Sequence, residues 1–253
     1  MVVRGNGGGN GGDGGHGNTR RNGGTEKRVR FVQRISVALF LCVIPLSQST
    51  PFAQSPTAPE LAQQLQKKYD GVHDFTADFV HAYEGGTLRK QITERGRLII
   101  KKPGKMRWEY SAPDAKLFVS DGLKMYSYVP QDKQVIVSSV PQGDEASTPT
   151  LFLAGKGNLV RDFTPTIVPV PRAMPPDSRA LKLVPLSPQR DYDWLVLVVD
   201  PGSLDFRGLV TADAQGGISS FSFTNLKTNT NPADKEFAFK IPRGVDVVSA
   251  TSR

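Results

Sequence analysis

The residues able to perform acid–base, nucleophilic or metal chemistry are few in this sequence and lie far apart. The 253 residues include 3 histidines and 1 cysteine, and none of them stands at a metal-ligand spacing from a second ligand. G-x-S-x-G, H-E-x-x-H, C-x-x-C and P-loop motifs are absent, and the GKGN stretch at 155–158 lacks the serine or threonine of a phosphate loop. We therefore expect no catalytic residue, no metal, no cofactor and no enzyme activity.

The stretch KMRWEYS, residues 105–111, offers binding chemistry instead. Met106, Trp108 and Tyr110 alternate with Arg107 and Glu109, which predicts a strand with one apolar and one polar face. The apolar face either packs in an ordinary core or contacts an apolar molecule from outside the chain. Composition alone favours the core.

A helix is predicted ahead of the strands, from Thr57 to the vicinity of Asp70. Thr57 and Glu60 have the spacing of a capping box, and Pro59 fits the first turn. Apolar side chains at positions 61, 65 and 69 recur every four residues. They predict one stripe that faces the core.

After this helix the hydrophobic period changes to two, which is the period of a strand. Strands are predicted at 75–79, 92–102, 105–111, 115–122, 124–130, 133–140, 191–200, 206–213, 218–226 and 235–242. The Pro-Gly and Asp-Gly turns between them indicate sequential hairpins and hence an antiparallel sheet. Residues 191–200 are apolar on both faces, so we expect both sides of that strand to be covered.

Residues 141–165 interrupt the strands. Pro149 follows Thr148 and favours a short helix through 151–153 to Gly155, which is too short to be stable alone. These elements predict a mainly-β fold with α: about ten antiparallel strands in a strongly curved sheet, wrapped over one N-terminal helix and a short helical insertion. The sequence alone leaves open whether the sheet closes into a barrel.

The N-terminal part is predicted to be a targeting segment and not part of the fold. Residues 1–24 hold 11 of the 25 glycines and are expected to be a disordered leader. Residues 25–53 have the layout of a signal peptide, with a basic flank and an apolar run at 35–46. The run is shorter than the roughly 20 residues of a membrane span, and a retained anchor is the alternative.

Removal of this segment would leave residues 54–253 as a single domain without a thiol. Cleavage is expected after Ser49 or Ala53, and Cys42 lies inside the apolar run. A lipidated Cys42 is disfavoured because Leu41 before it is too bulky for a lipoprotein cleavage site. Residues 54–253 carry 25 basic and 22 acidic side chains, an ordinary surface and not a nucleic-acid footprint.

The order of several segments resembles the periplasmic outer-membrane lipoprotein carrier (LolA-like) family. The segments are FTADF (75–79), GRLIIKKPGKMRWEYSAP (96–113), LFVSDGLKMYSYVP (117–130), TPTLFLAG (148–155) and FSFTNLKTNTNPADKEFAFKIPRGVDVV (221–248). The resemblance implies an unclosed antiparallel β-barrel, with an N-terminal helix and short lid helices over a hydrophobic cavity. Residues 166–192 match the family poorly.

The resemblance also implies a function, partners and a location. A carrier of this family shields the acyl chains of lipoproteins and moves them from an inner-membrane lipoprotein-releasing ABC transporter to an outer-membrane lipoprotein receptor. It works as a monomer in the periplasm, after signal-peptide cleavage, without a cofactor. Two alternatives remain open: a carrier of another lipid or glycolipid, and a periplasmic sensor of lipid or lipoprotein.

The site residues are expected on the apolar side of the strands. The acyl-chain cavity is predicted to be lined by Phe75, Phe79, Leu98, Ile100, Met106, Trp108, Tyr110, Leu117 and Val119. The lid is predicted at Leu151, Phe152 and Leu153.

Two further roles follow from the resemblance alone. Lys102 stands where the family commonly has an arginine that latches the lid through hydrogen bonds to lid backbone, and lysine lacks that planar fork. Met106 stands at the position of an aromatic residue that contacts the transporter, so it is predicted to make the transporter contact.

Overall fold

A computed structural model of the protein describes residues 55–85, 91–141, 149–189 and 191–250. The predicted leader (1–24) and signal peptide (25–53) lie outside these ranges, so both stay predictions. In the described residues no helix is both long and apolar enough to cross a membrane.

The described residues form two α-helices, two 3₁₀ turns and twelve strands. The helices are α1 (Ala58–Asp70) and α2 (Pro149–Leu153), and the 3₁₀ turns are Pro130–Asp132 and Asp234–Phe237. The first six strands are β1 (Asp74–Glu84), β2 (Gln91–Lys101), β3 (Lys105–Ala112), β4 (Lys116–Asp121), β5 (Lys124–Val129) and β6 (Gln134–Ser139). The others are β7 (Phe163–Val168), β8 (Arg179–Pro185), β9 (Trp194–Val199), β10 (Phe206–Ala212), β11 (Ile218–Thr228) and β12 (Asp246–Ser249).

All twelve strands belong to one curved sheet that does not close. Their order is β12-β6-β5-β4-β3-β2-β1-β11-β10-β9-β8-β7, so β12 and β7 are its two edges. Every neighbouring pair is antiparallel except β12 and β6, which run parallel. The predicted fold, an unclosed and mainly antiparallel sheet with an N-terminal helix, is confirmed.

Two segments differ from the prediction. Residues 235–242 were expected to be a strand, but the 3₁₀ turn Asp234–Phe237 occupies their start and the chain reaches the sheet only at β12. The alternating Phe237 and Phe239 belong to no strand, because this segment packs on top of the sheet. No strand was predicted between residues 141 and 190, but β7 and β8 lie there.

Helix α1 forms as its sequence predicts. The Thr57 backbone N–H donates to the Glu60 carboxylate over 2.8 Å, which closes the N-terminal end of the helix. This hydrogen bond also lowers the pKa of Glu60. Leu61 and Leu65 are fully buried in the main core of the sheet. We call the face of the sheet that α1 covers the inner face, and the opposite one the outer face.

Both faces of β9 are buried, as its sequence predicts. Leu195 and Leu197 belong to the main core on the inner face. Val196 and Val198 belong to a second cluster with Met174, which the proline-rich loop between β7 and β8 supplies. A β-strand buried on both sides reads as a continuous apolar run for this reason.

A second segment covers the outer face at β3–β5. The chain between β11 and β12 places the ring of Phe239 5.3 Å from that of Tyr126 and 5.8 Å from that of Tyr128. Asp234 forms ion pairs with Lys101 at 2.8 Å and Lys105 at 3.1 Å. The outer face is thus covered in two places by irregular chain, and the inner face by helices.

Candidate functional site

The inner face of β1–β4 carries a continuous apolar wall. Leu98 of β2 pairs with Trp108 of β3, which pairs with Phe118 of β4. Paired residues of an antiparallel sheet point to the same face. Seven of the predicted cavity residues therefore share the inner face and belong to the main core or pack against it: Phe75, Phe79, Leu98, Ile100, Met106, Trp108 and Tyr110.

The other two predicted cavity residues lie on the outer face, which corrects the prediction. Leu117 pairs with Glu109, and Val119 pairs with Arg107, so both point away from the wall. Phe118 between them takes the inner position. The cause is the register across the β3–β4 turn, because a shift of one residue exchanges the two faces of a strand. Val119 is fully buried all the same, but on the outer face.

Aromatic rings form the centre of the wall. The ring of Phe79 lies 5.2 Å from that of Trp108, 4.8 Å from that of Tyr110 and 6.2 Å from that of Phe221. Gly96 makes room for Phe79, since a Cβ atom at position 96 would come 2.6 Å from the Phe79 ring. Phe221 was not predicted in the cavity, although its alternation with Phe223 in β11 pointed to a buried face.

Helix α2, which we call the lid, covers part of this wall together with α1. Leu153 is 2% exposed and belongs to the main core, and the ring of Phe152 lies 6.0 Å from that of Phe163 in an edge-on arrangement. The side chain of Leu151 lies outside the described residues. The Gly104 N–H donates to the Ala154 carbonyl over 3.0 Å and ties the end of the lid to the β2–β3 turn.

Lys102 lies where the lid, α1 and the β2–β3 turn meet. Its ammonium donates to the Tyr69 carbonyl at the end of α1, so the acceptor is on α1 and not on the lid backbone as expected. Its methylene groups lie against Gly155, where a Cβ atom would come 2.6 Å from Lys102 Cδ. Burial lowers the pKa of Lys102, and the charge of Asp70 opposes this shift.

The inner face is partly covered in this arrangement. A cavity of about 290 Å³ beside Lys102 lies between α1, the lid and the loop that follows it, and it is lined by polar as well as apolar residues. Met106, the predicted transporter contact, is 2% exposed and lies in the wall. Any contact of Met106 with a partner protein therefore requires the groups that bury it to move.

A polar cluster borders the wall at the end opposite Lys102. It consists of His81, Glu94 and Lys116: the Glu94 carboxylate lies 3.2 Å from His81 Nδ1 and also accepts from the Lys116 ammonium. The His81 ring stacks on Phe221 at 4.1 Å. Burial lowers the pKa of His81, which outweighs the raising effect of Glu94. Sequence reasoning missed this cluster, because only the β1–β2 register brings His81 opposite Glu94.

The sequence has many relatives. The sequence model of the family described as "Outer membrane lipoprotein carrier protein LolA" matches residues 70–240. An outer-membrane lipoprotein carrier protein of Chromohalobacter salexigens is 31% identical over 189 residues, which cover 74% of this chain and 86% of the relative. One of Methylococcus capsulatus is 29% identical over 208 residues, covering 82% and 96% respectively.

Solved structures give weaker matches. A LolA superfamily protein from Nitrosomonas europaea is 15% identical with a TM-score of 0.40, covering 73% of this chain and 98% of that one. A conserved protein from Thermus thermophilus is 12% identical with a TM-score of 0.45, covering 75% and 97%. The family assignment therefore rests on the sequence matches. These extend over most of the folded part, and by them the chain belongs to the outer membrane lipoprotein carrier protein family.

Proposed function

We propose that the protein is a periplasmic carrier that shields the acyl chains of lipoproteins against the inner face of its sheet. It would receive them from an inner-membrane lipoprotein-releasing ABC transporter and deliver them to an outer-membrane lipoprotein receptor. The observation that carries the proposal is the apolar wall of β1–β4, covered in part by a lid of only five residues.

The energetics favour this use of the wall. Burying an acyl chain stabilises it by roughly 0.8 kcal/mol per methylene, so a chain of about 15 carbons gains on the order of 12 kcal/mol. Such a chain does not cross water unaided. A carrier must therefore bury the chain well enough to recover most of this free energy, but not so tightly that it cannot release its cargo.

The short lid is suited to give up its contacts with the wall when an acyl chain binds there. Isolated helices shorter than about 12–15 residues are marginal in water, so the lid depends on its contacts with the sheet. In the described residues these contacts include the side chains of Phe152 and Leu153 and the backbone bond from Gly104 to Ala154. We propose that an acyl chain replaces the lid side chains on the wall, so that the cost of opening is largely offset by the guest.

The remaining assignments follow from the same proposal. The seven inner-face residues would contact the acyl chain, Lys102 would hold the closed state, and the protein would work without a cofactor or catalytic residue, as a monomer. Signal-peptide cleavage would release residues 54–253 into the periplasm.

Native mass spectrometry of the protein isolated from its own periplasm tests the proposal. A soluble complex with a triacylated lipoprotein is expected, and depletion of the protein should leave lipoproteins in the inner membrane. If a free lipid or glycolipid is bound instead, and lipoproteins are located normally after depletion, lipoprotein transport is refuted. That result would favour a carrier of another lipid or glycolipid.

A further inference from the structure

Trp108 carries a buried polar group that the fold leaves without a partner. The side chain is 2% exposed, and its indole N–H is the one buried side-chain donor or acceptor in the described residues that makes no hydrogen bond. An unpaired buried donor costs about 1–3 kcal/mol. A phenylalanine or leucine at this position would avoid that cost, so the tryptophan needs a physical reason.

The position of Trp108 on the inner face suggests what the acceptor is. Along the wall, the row of Ile100 and Met106 lies nearest Lys102, and the row of Leu98 and Trp108 follows it. The next row contains Tyr110, which is paired with Lys116 of the polar cluster. At about 3.4 Å per residue, Trp108 lies ~7 Å along the strand from this polar row. The indole thus stands where the wall changes from apolar to polar.

An acylated molecule also changes from apolar to polar along its length. Its chain is apolar, its head is polar, and an ester or amide carbonyl joins the two. A carbonyl taken out of water also needs a hydrogen-bond donor. A guest with its chain toward Ile100 and its head toward the polar cluster would bring that carbonyl to the level of Trp108.

We propose that the Trp108 indole N–H donates a hydrogen bond to the ester or amide carbonyl at the head of the bound acyl chain, with the head group directed toward His81, Glu94 and Lys116. This inference rests on the proposed function, because it names the part of the cargo that the wall recognises. Trp108 is a binding residue here and sets the direction in which the chain lies.

A matched pair of ligands tests the hydrogen bond. Monopalmitoylglycerol has the ester carbonyl, and its hexadecyl ether analogue has a chain of equal length without it. The protein is isolated from the periplasm of a host that expresses the full chain, and delipidated. We expect the ester to bind about tenfold more tightly than the ether, the effect of one hydrogen bond to a buried donor.

Two variants separate the hydrogen bond from the shape of the wall. Trp108→Phe removes the N–H and keeps an aromatic ring, so it should abolish the preference for the ester. Met106→Leu changes the wall next to Trp108 without touching a donor, so it should keep the ester-to-ether ratio. A Trp108→Phe variant that retains the preference would overturn the inference.

The indole proton itself gives a second readout. The chain has only 2 tryptophans, so ¹⁵N-labelled protein shows two indole signals, and Trp194→Phe assigns them. The Trp108 proton should move downfield with the ester and not with the ether. Equal shifts or equal affinities for the two ligands would refute the inference alone, whereas binding of neither would refute the proposed function as well.

Discussion

Leu117 and Phe118 are neighbours in β4 with opposite orientations, and replacing each with serine tests which face of the sheet holds the cargo. Both side chains are half-buried, so each substitution removes partly buried apolar surface from the protein without cargo. Phe118 lies on the inner face with its ring 5.6 Å from that of Tyr110. Leu117 lies on the outer face opposite Glu109.

The expected difference appears only when the cargo is bound. Full burial of a phenylalanine side chain contributes about 1.5–3 kcal/mol, and a half-buried ring gains part of this when an acyl chain covers it. We therefore expect Phe118→Ser to weaken binding by about 1–2 kcal/mol, roughly five- to thirtyfold, and Leu117→Ser to leave it unchanged.

The assay is displacement of a fluorescent fatty-acyl probe, followed by retention of a purified lipoprotein in the supernatant after ultracentrifugation. Urea unfolding of both variants measures the loss of stability and allows it to be separated from the loss of binding. If Leu117→Ser weakens binding as much as Phe118→Ser at equal stability, the cargo does not lie on the inner face and the reasoning fails.

Three other residues give sharp expectations. Lys102→Arg adds donors that stabilise the closed, cargo-free state, so it should weaken cargo binding about fivefold, equivalent to one hydrogen bond of ~1 kcal/mol; an unchanged affinity in the displacement assay would contradict the latch. The lowered pKa of His81 means that the unfolded chain binds its proton first, so the free energy of unfolding should fall as the pH drops below about 6.5. Substitution of His81 with Gln should flatten that slope in urea titrations between neutral and mildly acidic pH, and an unchanged slope would contradict this assignment. Gly96→Ala places a Cβ atom 2.0 Å from a backbone oxygen and should cost more than about 2 kcal/mol of stability, while Gly71→Ala, whose nearest atom is 3.4 Å away, should shift the thermal midpoint only slightly.

Much of the fold follows from local patterns in the sequence. The capping residues and the four-residue apolar repeat predict α1, and the alternation in residues 105–111 predicts the two faces of β3 correctly. The apolar run at 191–200 predicts burial on both sides, which the proline-rich loop and the main core provide. In each case the signal lies within one element, where period and burial are linked directly.

The errors concern relations between elements. Leu117 and Val119 were assigned to the wrong face because the number of residues used by the β3–β4 turn decides the register. The polar cluster escaped notice because His81, Glu94 and Lys116 come from three strands. Phe237 and Phe239 have the period of a strand, but they lie in a segment that covers the outer face. Alternation shows that a residue is buried, but not against which partner.

The parallel pairing of β12 with β6 has a consequence for the order of assembly. These two strands are far apart in the chain, and synthesis runs from the N-terminus, so β6 emerges from the ribosome long before its neighbour exists. Until β12 is made, the open edge of β6 has unpaired backbone groups with which a strand of another chain can pair. The nascent chain is therefore prone to aggregate between the synthesis of β6 and that of β12, and a chaperone that binds it would be needed most during this interval.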